Sequence, residues 1–298
     1  MSHKKNCILC GSDNTEPYLV ADNCSFVRCR CGLMYMNPQP SKEKLAEYYN
    51  ADYSPYIQKK TSLTPEEAWR ATHSSLLIRM LRRIKRTLRP QAQSSSVHDT
   101  TRKTVLDFGC GNGRYLIRMQ REHPLWELYG YDIDPRPVEL AGVTTVNNLD
   151  SLDTKLDLIN MSHVLEHLPD PKATLLQLKT LLKEGGEIII EVPNIDCWKF
   201  RVFGRYFEGL CLPYHLFLFS PKTLNELATQ CGLSIQSLEV FGSPKTTLHN
   251  IYNVLGVRRA VNPYFLMVTN FLITTFGLKK IDTEVLRARV RTARVQTL

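Results

Sequence analysis

Residues 105–116 read VLDFGCGNGRYL, an apolar strand that runs into a glycine-rich turn and from there into a helix. Gly109, Gly111 and Gly113 let the turn backbone approach a ligand closely, and the unpaired amides at the helix start add donors. A nucleotide-type cofactor is expected at this strand end. Outward from it, strand and helix patterns alternate: TVLDF over 104–108, a helix over 113–122, WELYGYD over 126–132, VTTVN over 143–147 and LDLINM over 156–161. The series continues with a helix over 171–182, EIIIEV over 187–192, a helix over 221–231 and LSIQSLEVF over 233–241. Such alternation predicts an α/β domain, a parallel sheet with helices on both faces.

The residues around the turn select among nucleotide cofactors. A dinucleotide fingerprint needs a small residue three places after its second glycine. Here that place is Arg114, whose bulk would obstruct close helix packing, so NAD is disfavoured. Asp107 ends the strand just before the glycines, where a carboxylate repels a pyrophosphate but attracts a ligand carrying an ammonium and a sulfonium. S-adenosylmethionine has both. Asp132 closes the second strand, the position from which a carboxylate accepts hydrogen bonds from both ribose hydroxyls.

Four stretches, VLDFGCGNG, YGYDIDP, LDLINMSHVLEHLPDP and LLKEGGEIIIEVPN, follow one another at the spacings of class I S-adenosylmethionine-dependent methyltransferases. Over roughly residues 103–241 the chain resembles that family, which implies a Rossmann-like sheet and S-adenosylmethionine as cofactor. The resemblance makes Asp107, Gly109, Gly111 and Asn112 contacts to the methionine and ribose portions, Asp132 the ribose acid with Ile133 beside it, and Asn148 with Leu149 adenine neighbours. Ser162 and His163, just past the fourth strand, would cover adenine and the methionine portion. Members usually end in an antiparallel hairpin, and IDTEVLRARV over 281–290 fits its last strand. Residues 244–280 would then be a helical insertion, serving as a lid, a homodimer surface or a peripheral membrane contact.

The chain opens with a cysteine cluster. Cys7-x-x-Cys10-Gly and Cys29-x-Cys31-Gly-Leu resemble the zinc ribbon that precedes this domain in a subgroup including deoxysugar C-methyltransferases. The expected ligands are Cys7, Cys10, Cys29 and Cys31; the second knuckle is one residue short of the usual Cys-x-x-Cys, so Cys24 is kept as a reserve ligand for a displaced Cys29. Four thiolates around Zn²⁺ would replace the core that so short a segment lacks, making the ion structural. The expected organisation is a ribbon over 1–40, a helical segment and polar linker over 41–102, the cofactor-binding domain over 103–243, and an insertion with last strand and basic tail over 244–298.

Candidate catalytic groups lie at the carboxyl edge of the sheet. His215, with Tyr214, sits in the long insertion over 194–219, and His163 begins the SHVLEH segment. The resemblance to sugar C-methyltransferases supports His215 as the general base, since a neutral imidazole titrates near working pH. A second reading compares His163-x-x-Glu166-His167 and a distant His with the Glu-x-x-Glu-His arrangement that holds Mg²⁺ in small-RNA 2′-O-methyltransferases. In a third, Glu166 and His167 cap the following helix or hydrogen-bond the loop.

Composition bounds the rest. The 298 residues are 43% hydrophobic and 22% charged, which excludes disorder, collagen and a small disulfide scaffold. Thirty-eight Lys and Arg against 29 Asp and Glu give a formal charge of +9, concentrated over 79–103 and 256–298. The first of these segments lacks the interleaved aromatics that stack on bases, so a nucleic-acid partner is not expected. The N-terminus shows no secretory signal, and a cytoplasmic location is expected. The acceptor implied by the resemblance is a small molecule, first a sugar nucleotide or a polysaccharide or natural-product intermediate. An O-methyltransferase acting on a hydroxyl or carboxyl is the close rival, and an RNA-binding protein or a non-catalytic scaffold the distant ones.

Overall fold

The computed structural model describes residues 5–21, 24–51, 101–133, 141–242, 250, 254 and 283–293. The predicted helix over 76–84, most of the linker and nearly all of 244–280, with the lid, dimer and membrane roles expected of it, lie outside these residues. Two compact units are present, residues 1–48 with 154–298 and residues 49–153. Among the described residues no helix is long and apolar enough to cross a membrane.

The N-terminal segment forms β1 (Thr15–Ala21), β2 (Cys24–Cys29) and β3 (Met34–Met36), an antiparallel meander, followed by α1 (Lys42–Ala51). In the second unit the glycine-turn stretch becomes β4 (Thr104–Phe108) and α2 (Arg114–Glu122), followed by β5 (Glu127–Tyr131) and β6 (Val143–Val146). β4 pairs in parallel with β5, and β5 with β6. Every residue of β4 is buried, as a continuous apolar run in a parallel sheet requires.

The close approach of helix to sheet lies elsewhere than position 114 suggests. Arg114 is exposed at the first turn of α2. A Cβ on Gly130 of β5 would instead lie 3.0 Å from Leu116 Cδ1 and 3.2 Å from Cys110 Sγ. Gly130, which carries no motif in the sequence, is therefore what lets α2 settle onto β5. The bulk of Arg114 does not obstruct the packing.

The first unit continues with β7 (Leu156–Ser162), α3 (Pro171–Leu181), β8 (Leu182–Pro193), α4 (Trp198–Phe203), β9 (Phe217–Leu218), α5 (Pro221–Gln230), β10 (Leu233–Phe241) and β11 (Val285–Thr292). β7 and β8 are parallel, and β11 inserts antiparallel between β8 and β10, so the sheet is mixed. Val285 pairs with Pro193 and Arg291 with Glu187, placing the last strand where IDTEVLRARV was expected. Its apolar residues Leu286, Ala288 and Val290 are fully buried, the alternation of a strand with one face on the core.

Asp170, not Glu166 or His167, caps α3: its carboxylate accepts from the Ala173 amide at 2.9 Å, and Pro171 takes the first helical position. Glu166 and His167 therefore do not cap that helix; they hydrogen-bond the loop, Glu166 to His163 and His167 to the Tyr214 backbone. The insertion over 194–219 contributes α4, two short 3-10 turns and β9. β9 pairs with β3, Met34 opposite Leu218 and Tyr35 opposite Phe217, so the ribbon sheet runs β1-β2-β3-β9. A buried ion pair holds the insertion to the start of β11: Lys199 Nζ lies 2.6 Å from Glu284 Oε2, and the Asn194 amide donates to the Glu284 carbonyl.

Candidate active site

The cofactor-type loop is built from backbone conformation first. Gly109, Gly111 and Gly113 have φ of 80°, 51° and 73°, in the left-handed region that a side chain disfavours. Their turn is anchored by the amides of Gly109 and Cys110, which both donate to the Tyr131 carbonyl at 2.7 and 2.9 Å. One residue on, the Gly111 amide donates to Asp132 Oδ2 at 2.6 Å. Asp132 thus fixes the loop as well as standing at the end of β5. Asp107 is 4% exposed in the β4 strand that leads into it.

The other expected cofactor residues of this unit separate into two groups. Ile133 is an exposed apolar side chain directly after Asp132, the placement a stacking contact needs, and the Asn112 amide oxygen faces the Arg114 amide at 3.4 Å. Leu149 is buried in the core, and Asn148 caps the short turn Leu149–Ser151 by accepting from the Asp150 amide at 3.0 Å.

In the first unit, the Ser162 hydroxyl donates to Glu191 at 2.8 Å and Glu191 also binds Arg287 Nε, so Ser162 belongs to a network along β7, β8 and β11. His163 adopts a φ of 55°, unusual for a residue with a Cβ, while its amide donates to the Glu191 carbonyl. That conformation turns the chain sharply at the end of β7. It also aims the His163 ring at Glu166, Nδ1 to Oε1 3.3 Å, while leaving the side chain 49% exposed.

Glu166 is the centre of the cluster. Its side chain is fully buried, and His163, His167 and His215 surround it. Burial pushes its carboxyl up, and the His163 hydrogen bond works against that and holds it low. His215 Nε2 lies 3.8 Å from Glu166 Oε1, and the rings of His167 and His215 meet edge to face with centroids 4.5 Å apart. The insertion is tied to the same point, since the Leu216 amide donates to the Glu166 carbonyl at 2.7 Å.

The geometry argues against His215 as the general base. It is 5% exposed, and burial, reinforced by His167, pushes its pKa well below the ordinary imidazole range. Its Nδ1 is taken up by the Gly209 carbonyl at 2.8 Å. Tyr214 is half-buried, its ring edge-on to Tyr48 of α1. Of the three expected groups, His163 is the one with an exposed ring.

The four ribbon cysteines converge. Cys7 Sγ lies 3.5 Å from Cys31 Sγ and Cys10 Sγ 3.4 Å from Cys29 Sγ, and all four sulfurs fall within 4.8 Å of one another. A tetrahedral ion at about 2.3 Å from each sulfur separates them by about 3.8 Å, so the donor set fits zinc. Cys29 is not displaced. The shortened knuckle closes as a tighter turn, with the Gly32 amide on the Cys29 carbonyl where the first knuckle uses Gly11 on Cys7, and Cys24 lies outside the cluster.

A glycine turn braced by an acid at the ends of two parallel strands marks an α/β protein that binds a nucleotide-like cofactor. The family model described as "Methyltransferase domain" matches residues 75–238, more than half of the sequence, and the chain belongs to that family. It is 37% identical over 109 residues to a tRNA U34 carboxymethyltransferase of Aliarcobacter butzleri, a match covering 32% of this chain and 35% of that protein. With a ubiquinone biosynthesis O-methyltransferase of Saccharophagus degradans it shares 27% identity over 157 residues, 46% of this chain and 65% of that one. The chain thus spans between about a third and two thirds of the length of these relatives. Among solved structures, the Burkholderia thailandensis 1,6-didemethyltoxoflavin-N1-methyltransferase aligns over 94% of this chain and 100% of its own, at 16% identity and a TM-score of 0.47.

Proposed function

We propose that the chain transfers a methyl group from S-adenosylmethionine to a hydroxyl of a small acceptor, releasing S-adenosylhomocysteine. The observation that carries this reading is the glycine loop after β4, its amides fixed by Tyr131 and Asp132, with Asp107 buried in the strand that feeds it. Two carboxylates beside one loop favour a donor with an ammonium and a sulfonium over a pyrophosphate. Asp107 would meet the ammonium, Asp132 the ribose, and Ile133 the adenine face. In the transfer the S–C bond breaks with its electron pair staying on sulfur, an O–C bond forms, and the hydroxyl proton departs. His163, whose side chain is exposed, is our candidate to accept it.

Membership of the methyltransferase family supports methyl transfer, and the ubiquinone-biosynthesis relatives favour oxygen over carbon as the accepting atom. The sugar-nucleotide acceptor implied by the sequence resemblance finds no support among these relatives, and the tRNA enzyme keeps an RNA acceptor as the alternative to a small molecule. The cysteine cluster is read as a structural Zn²⁺ site, because its four sulfurs leave no coordination position for substrate.

Calorimetric titration with S-adenosylhomocysteine tests the proposal. The wild-type chain is expected to bind it, and Asp132→Ala to bind roughly 10- to 100-fold more weakly, the loss of one or two charge-assisted hydrogen bonds. A chain that ignores S-adenosylhomocysteine and takes up NADH would overturn the reading.

A further inference from the structure

His215 and His167 each commit one ring nitrogen to a backbone carbonyl. His215 Nδ1 pairs with the Gly209 carbonyl at 2.8 Å, and His167 is hydrogen-bonded to the backbone of Tyr214. A carbonyl can only accept, so the proton sits on those nitrogens and each ring keeps a lone pair on the other. His215 Nε2 then faces the Glu166 carboxylate across 3.8 Å. Glu166 Oε2 is itself buried without a hydrogen-bond partner among the described residues.

A fully buried carboxylate oxygen with no hydrogen-bond partner among the described residues, flanked by two imidazoles, is an arrangement that a bound cation completes. The ligand atoms of Glu166, His167 and His215 all lie within 4.8 Å of one another. A tetrahedral ion at about 2.1 Å from each would separate them by about 3.4 Å, so the His215–Glu166 pair closes by only a few tenths of an ångström. Imidazoles anchored on carbonyls are also the usual outer support of metal-binding histidines, fixing tautomer and ring orientation.

We propose that Glu166, His167 and His215 bind one divalent transition-metal ion, distinct from the ion expected at the four cysteines. Two imidazoles and one carboxylate suit Zn²⁺, Co²⁺ or Fe²⁺ over Mg²⁺, and three protein ligands leave the fourth position open. An acceptor oxygen in that position would be polarised by the ion. This use of the ion, though not its binding, rests on the methyl-transfer reading. His163, which touches Glu166 from the exposed side, is the neighbour that positions the carboxylate.

The full chain is exchanged into Co²⁺ and followed by absorption, and separately loaded with Zn²⁺ and measured for metal per chain. Two ions per chain are expected, one with thiolate-to-cobalt charge transfer from the cysteines and one without it. Glu166→Gln and His215→Ala should each lower the count from two to one and remove only the second signature. A wild-type chain that holds metal solely at thiolates, or holds none, overturns the site, whether or not the variants fold. A second ion that survives both substitutions is bound elsewhere and overturns it equally. S-adenosylhomocysteine titration on the same samples separates the readings: donor binding without the second ion refutes the site alone, and the second ion without donor binding refutes the methyl-transfer reading alone.

Discussion

Lys199→Met is expected to destabilise the chain by about 3–5 kcal/mol, seen as a lower midpoint of urea unfolding at unchanged slope. The Lys199 and Glu284 side chains are 0% and 6% exposed, and the mutation leaves a buried carboxylate without its 2.6 Å cation. The effect should appear at both ends of the contact, because Lys199 belongs to α4 of the insertion and Glu284 directly precedes β11. Lys199→Met with Glu284→Leu should recover most of the loss, since replacing a buried pair by apolar residues is often neutral or stabilising. A single mutant within about 1 kcal/mol of wild type would mean that the pair is hydrated and that a surface-type ion pair ties the insertion down.

On the zinc reading proposed above, Cys29→Ser is expected to abolish metal binding at the four cysteines and to unfold the N-terminal strands, because a structural zinc site supplies folding free energy outright, about 10–16 kcal/mol in small zinc-finger peptides. Its reach should extend beyond the first forty residues. β3 pairs with β9, the Met36 amide donates to the Leu216 carbonyl, and the Leu216 amide donates in turn to the Glu166 carbonyl. Loss of the ribbon therefore frees the residue next to His215. On the methyl transfer and metal site proposed above, activity should fall by about 10- to 100-fold, the usual cost of losing outer support in a site. Hydrogen exchange over residues 15–36 and 216–218 checks the coupling: if protection is lost only in the first segment, β9 is held without the ribbon.

Local signals made the α/β elements readable. Strand periodicity, the glycine turn and Pro171 and Pro221 at helix starts placed β4, β5, β7, α3, α5 and β10 to within about two residues, since each depends on nearest neighbours in sequence. The last strand was legible through its alternation even though it follows a long insertion.

What sequence withheld was set by contacts across the chain. β9 is two residues long and exists because β3 offers it an edge, so no local pattern announces it. Gly130 matters only once Leu116 and Cys110 stand against it. His215 looked like a base because imidazole titrates near neutrality, but burial and the Gly209 carbonyl change its chemistry, and neither is visible in one dimension. The short Cys29 knuckle suggested a displaced ligand because its spacing differs from that of the longer loop. A turn one residue tighter brings the sulfur to the same place. The SHVLEH segment stands out as chemically loaded, but its organising residue, Glu166, was legible only as one of several readings.

The bond from the Gly111 amide to Asp132 carries a kinetic corollary. A recognition loop already held in its receiving posture by its own carboxylate spends no ordering entropy when a guest arrives, so encounters convert to complexes without a slow closing step at that point. Selectivity would then reside in how fast a misfit departs, and rival nucleotides would be told apart by dwell time.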